Sequence, residues 1–197
     1  MNKIIIVGVI GLLLVFGIHA RHNTEQGIGS ADTAYQSFSG TVQEIREGEN
    51  HISILVEEED SAHNSIVFNV LENVVLLDNM TQDFLRASDL KTGMRVTAYY
   101  PENTPVALSM PPIMTPQVII VNSQRMLEFV HVGQFDGKLI SNDRLLQLHI
   151  SPETLITDRE GDVFTDDLAH HTLVVFYTVS TKSIPAQTTP QKIIVLN

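Results

Sequence analysis

Thr115-Pro-Gln-Val-Ile-Ile-Val121, near the middle of the chain, returns at its end as Thr189-Pro-Gln-Lys-Ile-Ile-Val195. Such an echo marks an internal duplication. Working back from it, Asp89-Leu90 through Val96 to Tyr99 is answered by Asp167-Leu168 through Val174 to Tyr177, 78 residues later. Asn69-Val70 to Asp78 is answered by His149-Ile150 to Asp158 at a separation of 80, and Phe38-Ser-Gly40 by Phe135-Asp-Gly137 at 97. The order of the matches never changes while the separation shrinks to 74. The second repeat has therefore lost residues between matched segments, where surface loops tolerate deletion. Residues 35–122 form the first repeat and 123–197 the second, which leaves little chain for a dedicated catalytic domain.

Ahead of the repeats, Lys3 precedes an apolar run from Ile4 to Ile18 interrupted only by glycines. Residues 1–20 read as a targeting segment, long enough for the apolar core of a signal peptide and at the lower edge of a membrane span. A peptidase cutting after Ala20 would meet Ile18 at the third position before the cut, where it prefers a small residue. Gly29 and Ala31 are better chemically but lie too far beyond the run. An uncleaved anchor through residues 4–20 and a cleaved signal both remain open, and either gives an extracytoplasmic protein, anchored to the outer face of the membrane or secreted. The 197 residues contain no cysteine, so neither a lipoprotein signal nor a disulfide framework is available. Residues 21–34 are polar, without apolar periodicity, and read as a flexible tether.

The formal charge is -11. Residues 35–122 carry 12 acidic and 4 basic side chains, residues 123–197 carry 9 and 6. Such a surface repels phosphate backbones, and nucleic acid is excluded as an expected partner.

Within the repeats, apolar residues alternate at period two: Val42 and Ile45, then Ile52, Ile54 and Val56, and later Leu146, Leu148 and Ile150. That is the strand signature, and the fold class is all-β. Gly48-Glu49-Asn50 and Asn142-Asp143 mark matching bends. Glu57 to Ser65 reads as an extra hairpin arm that the second repeat mostly lacks. The best helical candidates are short, Thr81 to Leu90 and Gly161 to Leu168, with Gly93 suited to a positive φ before the next strand. Strand, strand, strand, short helix, strand, strand predicts two tandem small OB-like Greek-key barrels after an N-terminal hydrophobic helix, with small β-sandwiches as the alternative.

Gly-x-Val near the start, Ile-x-Ile, Asp-Leu-Lys-x-Gly-Met-x-Val and the closing Ile-Ile-Val look like the OB-like repeat modules of secreted bacterial proteins. The run Gly93 to Pro105, with Ser109-Met-Pro-Pro112 and Thr115-Pro-Gln117, more narrowly resembles modules of clostridial-type surface proteins, which can accompany copper amine oxidase N-terminal-like stalk domains. The second repeat departs from the pattern, with His170-His171 in place of the glycine and no Pro-Pro. The resemblance implies a non-enzymatic envelope or surface module and transfers no catalytic residue.

Candidate chemistry concentrates in Pro101 to Pro116. Pro101, Pro105, Pro111, Pro112 and Pro116 make this loop stiff and extended, suited either to a partner or to shielding the edge of its own sheet. Met110 and Met114 are spaced like a soft-metal pair, though methionine more often packs. Tyr99, Tyr100 and Tyr177 occupy matching places in the repeats, as a shared groove or as ordinary strand aromatics. The eight histidines show no zinc-site spacing, and Glu57-Glu-Glu-Asp60 lacks a calcium-loop pattern. No nucleophile elbow, cysteine nucleophile or phosphate loop occurs. No catalytic residue, metal site or cofactor is expected. The leading reading is an extracytoplasmic binding or adaptor module. Its expected partner is an envelope protein, preferred over a cell-wall component. A self-associating structural subunit of a surface layer or fibre is the alternative, and copper handling a further one.

Overall fold

The computed structural model describes residues 34–49, 51–58, 64–122 and 129–197. The targeting segment, the tether up to residue 33 and the acidic arm's tip at Glu59 and Asp60 lie outside the described residues. Among those described, no helix is long and apolar enough to cross a membrane. They are all-β: β1 (Tyr35–Glu47), β2 (Ile52–Glu57), β3 (Ser65–Val70), β4 (Val75–Asp78), β5 (Arg95–Pro101), β6 (Ile113–Met114) and β7 (Val118–Val121) fall in the first repeat. β8 (Phe129–Gln134), β9 (Leu146–Leu148), β10 (Leu155–Asp158), β11 (Thr172–Tyr177), β12 (Ala186–Thr188) and β13 (Lys192–Val195) fall in the second.

The expected short helices contract to one 3₁₀ turn, Ala87–Asp89, in the first repeat, and to bends and an isolated bridge from Val163 to Thr157 in the second. Turn chemistry takes the residues that a helix would need. The Asp78 carboxylate accepts from the Met80 and Thr81 N–H groups at 2.8 and 2.9 Å, and Phe84 bridges back to Leu77. Asp158 does the same for Glu160 and Asp162 at 3.0 and 2.8 Å. An aspartate side chain that satisfies local N–H groups competes with helix at its own position.

Hydrogen-bond registers give the duplication its full form. β7 runs antiparallel to β5 and parallel to β4, and β6 runs parallel to β3. β13 relates to β11 and β10, and β12 to β9, in the same senses. Gly40 faces Val96, which faces Val121, while Gly133 faces Leu173, which faces Val195. Gly40 therefore corresponds to Gly133 and Phe38 to His131, which corrects the match to Phe135-Asp-Gly137 read from sequence. By the same ladders Tyr100 corresponds to Tyr177, and Tyr99 to Phe176. The sequence match slips because Leu173-Val-Val-Phe176 is apolar without alternation, so no period pins its register. The separation of 80 at the third and fourth strands holds, with Val75 facing Val118 as Leu155 faces Lys192.

Neither repeat closes into a barrel of continuous strands. The first forms a seven-stranded sheet in the order β4-β7-β5-β1-β2-β3-β6, open at β4 and β6. The strands that would close it are interrupted, one between Val70 and Val75 and the other at Thr115-Pro116-Gln117, where the buried proline has no N–H for a ladder. The second repeat splits into β10-β13-β11-β8 and the pair β12-β9. Its counterparts of the β1–β2 and β2–β3 pairings have shrunk to one isolated bridge each, Phe135 to Ser141 and Ile140 to Gln147.

Three apolar cores result. One fills the first repeat around Ile54, Phe68 and Ile119, and one fills the second around Phe135, Leu173 and Ile193. The third joins the repeats: Val75, Leu77, Val118 and Ile120 pack with Val132, Val174, Phe176, Ile194 and Leu196. β7 and β13 are thus buried on both faces, which is why the duplicated phrase is an unbroken apolar run. Lys192 is the one exception in it. Its ammonium donates to the Gln82 carbonyl at 2.6 Å and lies 5.5 Å over the Phe84 ring, both in the other repeat, while burial pulls its pKa down.

Candidate binding site

Beyond β5 the proline-rich loop doubles back on itself. The Ala107 N–H donates to the Ile113 carbonyl at 2.8 Å, and the Ser109 hydroxyl donates to the Pro111 carbonyl at 2.7 Å across a cis Met110-Pro111 bond. Beyond β11 the second repeat builds the same knuckle from a shorter loop. The Thr181 N–H donates to the Gln187 carbonyl at 2.9 Å, and the Ser183 hydroxyl to the Pro185 carbonyl at 2.7 Å across a cis Ile184-Pro185 bond. The sequence does carry a signal for this second knuckle. Ser109-Met-Pro111 and Ser183-Ile-Pro185 stand at the same separation as the duplicated phrase, but the missing second proline disguises the match.

Each knuckle projects apolar side chains into water. Leu108 and Met110 are wholly exposed and Ile184 is 90% exposed, whereas a core residue of that size normally hides. Pro105 is exposed beside them, and Pro111 and Pro112 are half-buried, with the Pro112 carbonyl accepting from the Val67 N–H at 2.9 Å. Met114 is buried in the first core. The two methionines therefore do not converge on one metal ion.

The tyrosines separate by face. Tyr100 lies on the first core, 6.4 Å from Phe68 between ring centroids. Tyr99 turns to the shared core, donates to the Val130 carbonyl at 3.4 Å, and has its pKa pushed up to about 12 by burial and then by Tyr177. Tyr177 stacks on Phe129 at 5.5 Å, and its pKa is raised by burial and then by the Asp143 charge. The structure brings Tyr99 and Tyr177 together at the roots of the two loops and leaves Tyr100 on another face.

Sequence reasoning misses one polar cluster. The buried Ser141 hydroxyl donates to Asp143 Oδ1 at 2.6 Å, and Asp143 Oδ2 lies 3.6 Å from His131 Nε2. The carboxylate stands between serine and histidine, so the histidine is not placed to take the serine's proton as a nucleophile's base would. Burial lowers the His131 pKa, against an upward pull from Asp143. Among the described residues no group of three or more His, Asp or Glu is placed to hold a metal ion.

One concavity lies away from the knuckles and another lies along the second of them. In the first repeat a cavity of about 540 Å³ has an apolar floor including Val70, Val74 and Leu76 under a rim of Glu47, Glu72, His51 and Arg86. In the second, a groove of about 410 Å³ runs along the knuckle between His149 and Thr178–Thr181. Compared with protein-family models and with curated proteins, the chain matches none.

Proposed function

We propose that the chain is a non-enzymatic, extracytoplasmic binding or adaptor module of a cell envelope. In this reading residues 4–20 hold it to the outer face of the membrane, or are cut to release it, and the repeats present their loop tips to another envelope protein. The observation that carries the reading is the pair of knuckles, each fixed by its own hydrogen bonds and each ending in exposed apolar side chains at Leu108, Met110 and Ile184. Apolar anchors held on a rigid scaffold lose little entropy on docking and supply most of an interface's energy. An acidic surface favours a protein over an anionic wall polymer.

Each repeat is read as an OB-like ring whose closing strands are interrupted. Taking β3 with β4, and β6 with β7, as single broken strands, the first repeat follows the ring order of that fold, with the third and last strands parallel. The knuckles then occupy the loop before the last strand, a recognition loop in many OB domains.

The test is capture of envelope proteins by the wild-type chain and by a Leu108→Ser, Met110→Ser, Ile184→Ser variant. A partner retained by the first and lost from the second supports the adaptor reading, and equal retention overturns it. The structural-subunit reading is favoured by β8 and β10, which lie at the edges of their sheet. Light scattering across a wide concentration range separates the two, because only a subunit grows into large species.

A further inference from the structure

We infer that the groove along the second knuckle is a site for a neutral saccharide. Thr178, Ser180, Thr181, Thr188 and Thr189 line it together with Gln187, His149 and Val179. The lining holds five hydroxyls, one amide and one imidazole, with no carboxylate, ammonium or guanidinium. A charged ligand would find no counter-charge in it, whereas sugar hydroxyls, which both donate and accept, match such a surface. Its volume of about 410 Å³ is within the usual range for small-ligand sites.

The first repeat serves as an internal control. At corresponding positions the polar Thr181, Gln187 and Thr188 replace Ala107, Ile113 and Met114: the Ala107 N–H bond to the Ile113 carbonyl at 2.8 Å recurs as Thr181 to Gln187 at 2.9 Å, while the return bond from the Ile113 N–H to the Ala107 carbonyl at 3.5 Å is replaced by the Gln187 N–H donating to the Thr181 hydroxyl at 2.9 Å. The Thr181 hydroxyl therefore belongs to the knuckle's frame, whereas the Gln187 amide and the hydroxyls of Thr178, Ser180 and Thr189 take no part in building it. Two of the five hydroxyls are spent internally, since Thr188 Oγ1 donates to the Val179 carbonyl at 2.6 Å and Thr181 Oγ1, which accepts from the Gln187 N–H, pairs with Ser183 Oγ at 2.6 Å. His149 Nε2 meets Gln187 Oε1 at 3.0 Å, which leaves the glutamine NH₂ to donate outward. Thr178, Ser180 and Thr189 are exposed and make no side-chain hydrogen bond among the described residues. Three uncommitted hydroxyls and an oriented amide line one groove, with the exposed Val179 offering methyl groups to the C–H face of a sugar ring.

Calorimetric titration of the full chain with maltotetraose, cellotetraose and tetra-N-acetylchitotetraose, and with tetragalacturonate as the anionic counterpart, tests the inference. At least one neutral oligosaccharide is expected to bind in preference to tetragalacturonate. Gln187→Ile, which restores the first-repeat residue and leaves the backbone and Thr181 bonds of the knuckle in place, is expected to weaken it about tenfold. The exposed, isosteric Thr178→Val is expected to weaken it several-fold without changing the thermal melt. Binding of none of the neutral sugars, equal binding of tetragalacturonate, or indifference to both variants overturns the inference. Leu108→Ser with Met110→Ser should leave sugar binding intact, so failure here and failure of the protein-partner reading remain separate results.

Discussion

The two repeats share one ladder plan and spend it differently. The first keeps a long β1, a β2–β3 hairpin and a seven-stranded sheet, whereas the second cuts the β1–β2 and β2–β3 pairings to one bridge each and divides its strands between two small sheets. Strand number therefore does not hold the second repeat together. What compensates is the shared core, where five of its apolar side chains are buried against four from the first repeat. A small unit with few strands gains by lending its outer face to a neighbour, because burial on both faces of β13 supplies apolar contact that its own interior lacks.

The largest effect should follow from breaking that coupling. Ile120 is buried in the shared core, on the face of β7 turned away from the first repeat's own core. Ile120→Asp places a charge there and should cost more than about 4 kcal/mol. Hydrogen exchange should show amides of both repeats losing protection together. If only residues 35–122 loosen, the second repeat stands alone and does not depend on the shared core. Leu155→Asp makes the matching control, since Leu155 corresponds to Val75 but is 49% exposed, and should cost less than about 1 kcal/mol.

A middle-sized effect separates the repeats at one corresponding glycine. A Cβ at Gly40 would stand 2.3 Å from the Glu57 carbonyl oxygen, a backbone atom of β2. At Gly133 the nearest atoms belong to the Asn142 and His131 side chains, both at 3.3 Å, and the second repeat has no β2. Gly40→Ala should therefore cost about 2–3 kcal/mol and Gly133→Ala about 1 kcal/mol or less, read as a shift in the urea midpoint at unchanged slope. Equal costs would mean that the lost hairpin is not what relaxed the glycine.

What is legible in the sequence follows the same division. The duplicated phrase and the third-strand match yield correct registers, because Val70, Asp78 and the proline pairs punctuate them. The first strand is misaligned by four residues, since period-two alternation alone offers several equally good matches and the hairpin that would settle it is missing. The glycine absent before the fourth strand reads as a departure from the pattern. Yet His170 takes a φ of 67° where Gly93 takes 86°, and each N–H donates to the first strand, to Phe135 and Val42 respectively. Local sequence does not announce that histidine adopts a left-handed conformation, which tertiary hydrogen bonding imposes. Of the candidate site, the proline loop is visible from its composition. The groove of the second repeat is not, because its hydroxyls come from the loop after β11 and from the end of β12, whose meeting depends on the fold.

The smallest expected effect concerns His131, which stands where the first repeat has Phe38. The imidazole is mostly buried, edge-on to Phe135 at 5.8 Å between ring centroids, and burial holds its pKa below the usual 6.5 against the upward pull of Asp143. In the unfolded chain the same histidine titrates normally, so below about pH 6.5 the unfolded state binds more protons than the folded one. Its contribution therefore leaves stability unchanged above that pH and reduces it as pH falls. The melting temperature should decline on acidification from pH 7.5 to 5. His131→Phe, restoring the first repeat's residue, should flatten the part of that decline that belongs to this site. Asp143→Asn should steepen it, because removing the carboxylate takes away a charge that favours the imidazolium. A wild-type slope unchanged in both variants would mean that this substitution of histidine for phenylalanine carries no pH response, and that the difference between the repeats at this position is one of packing alone.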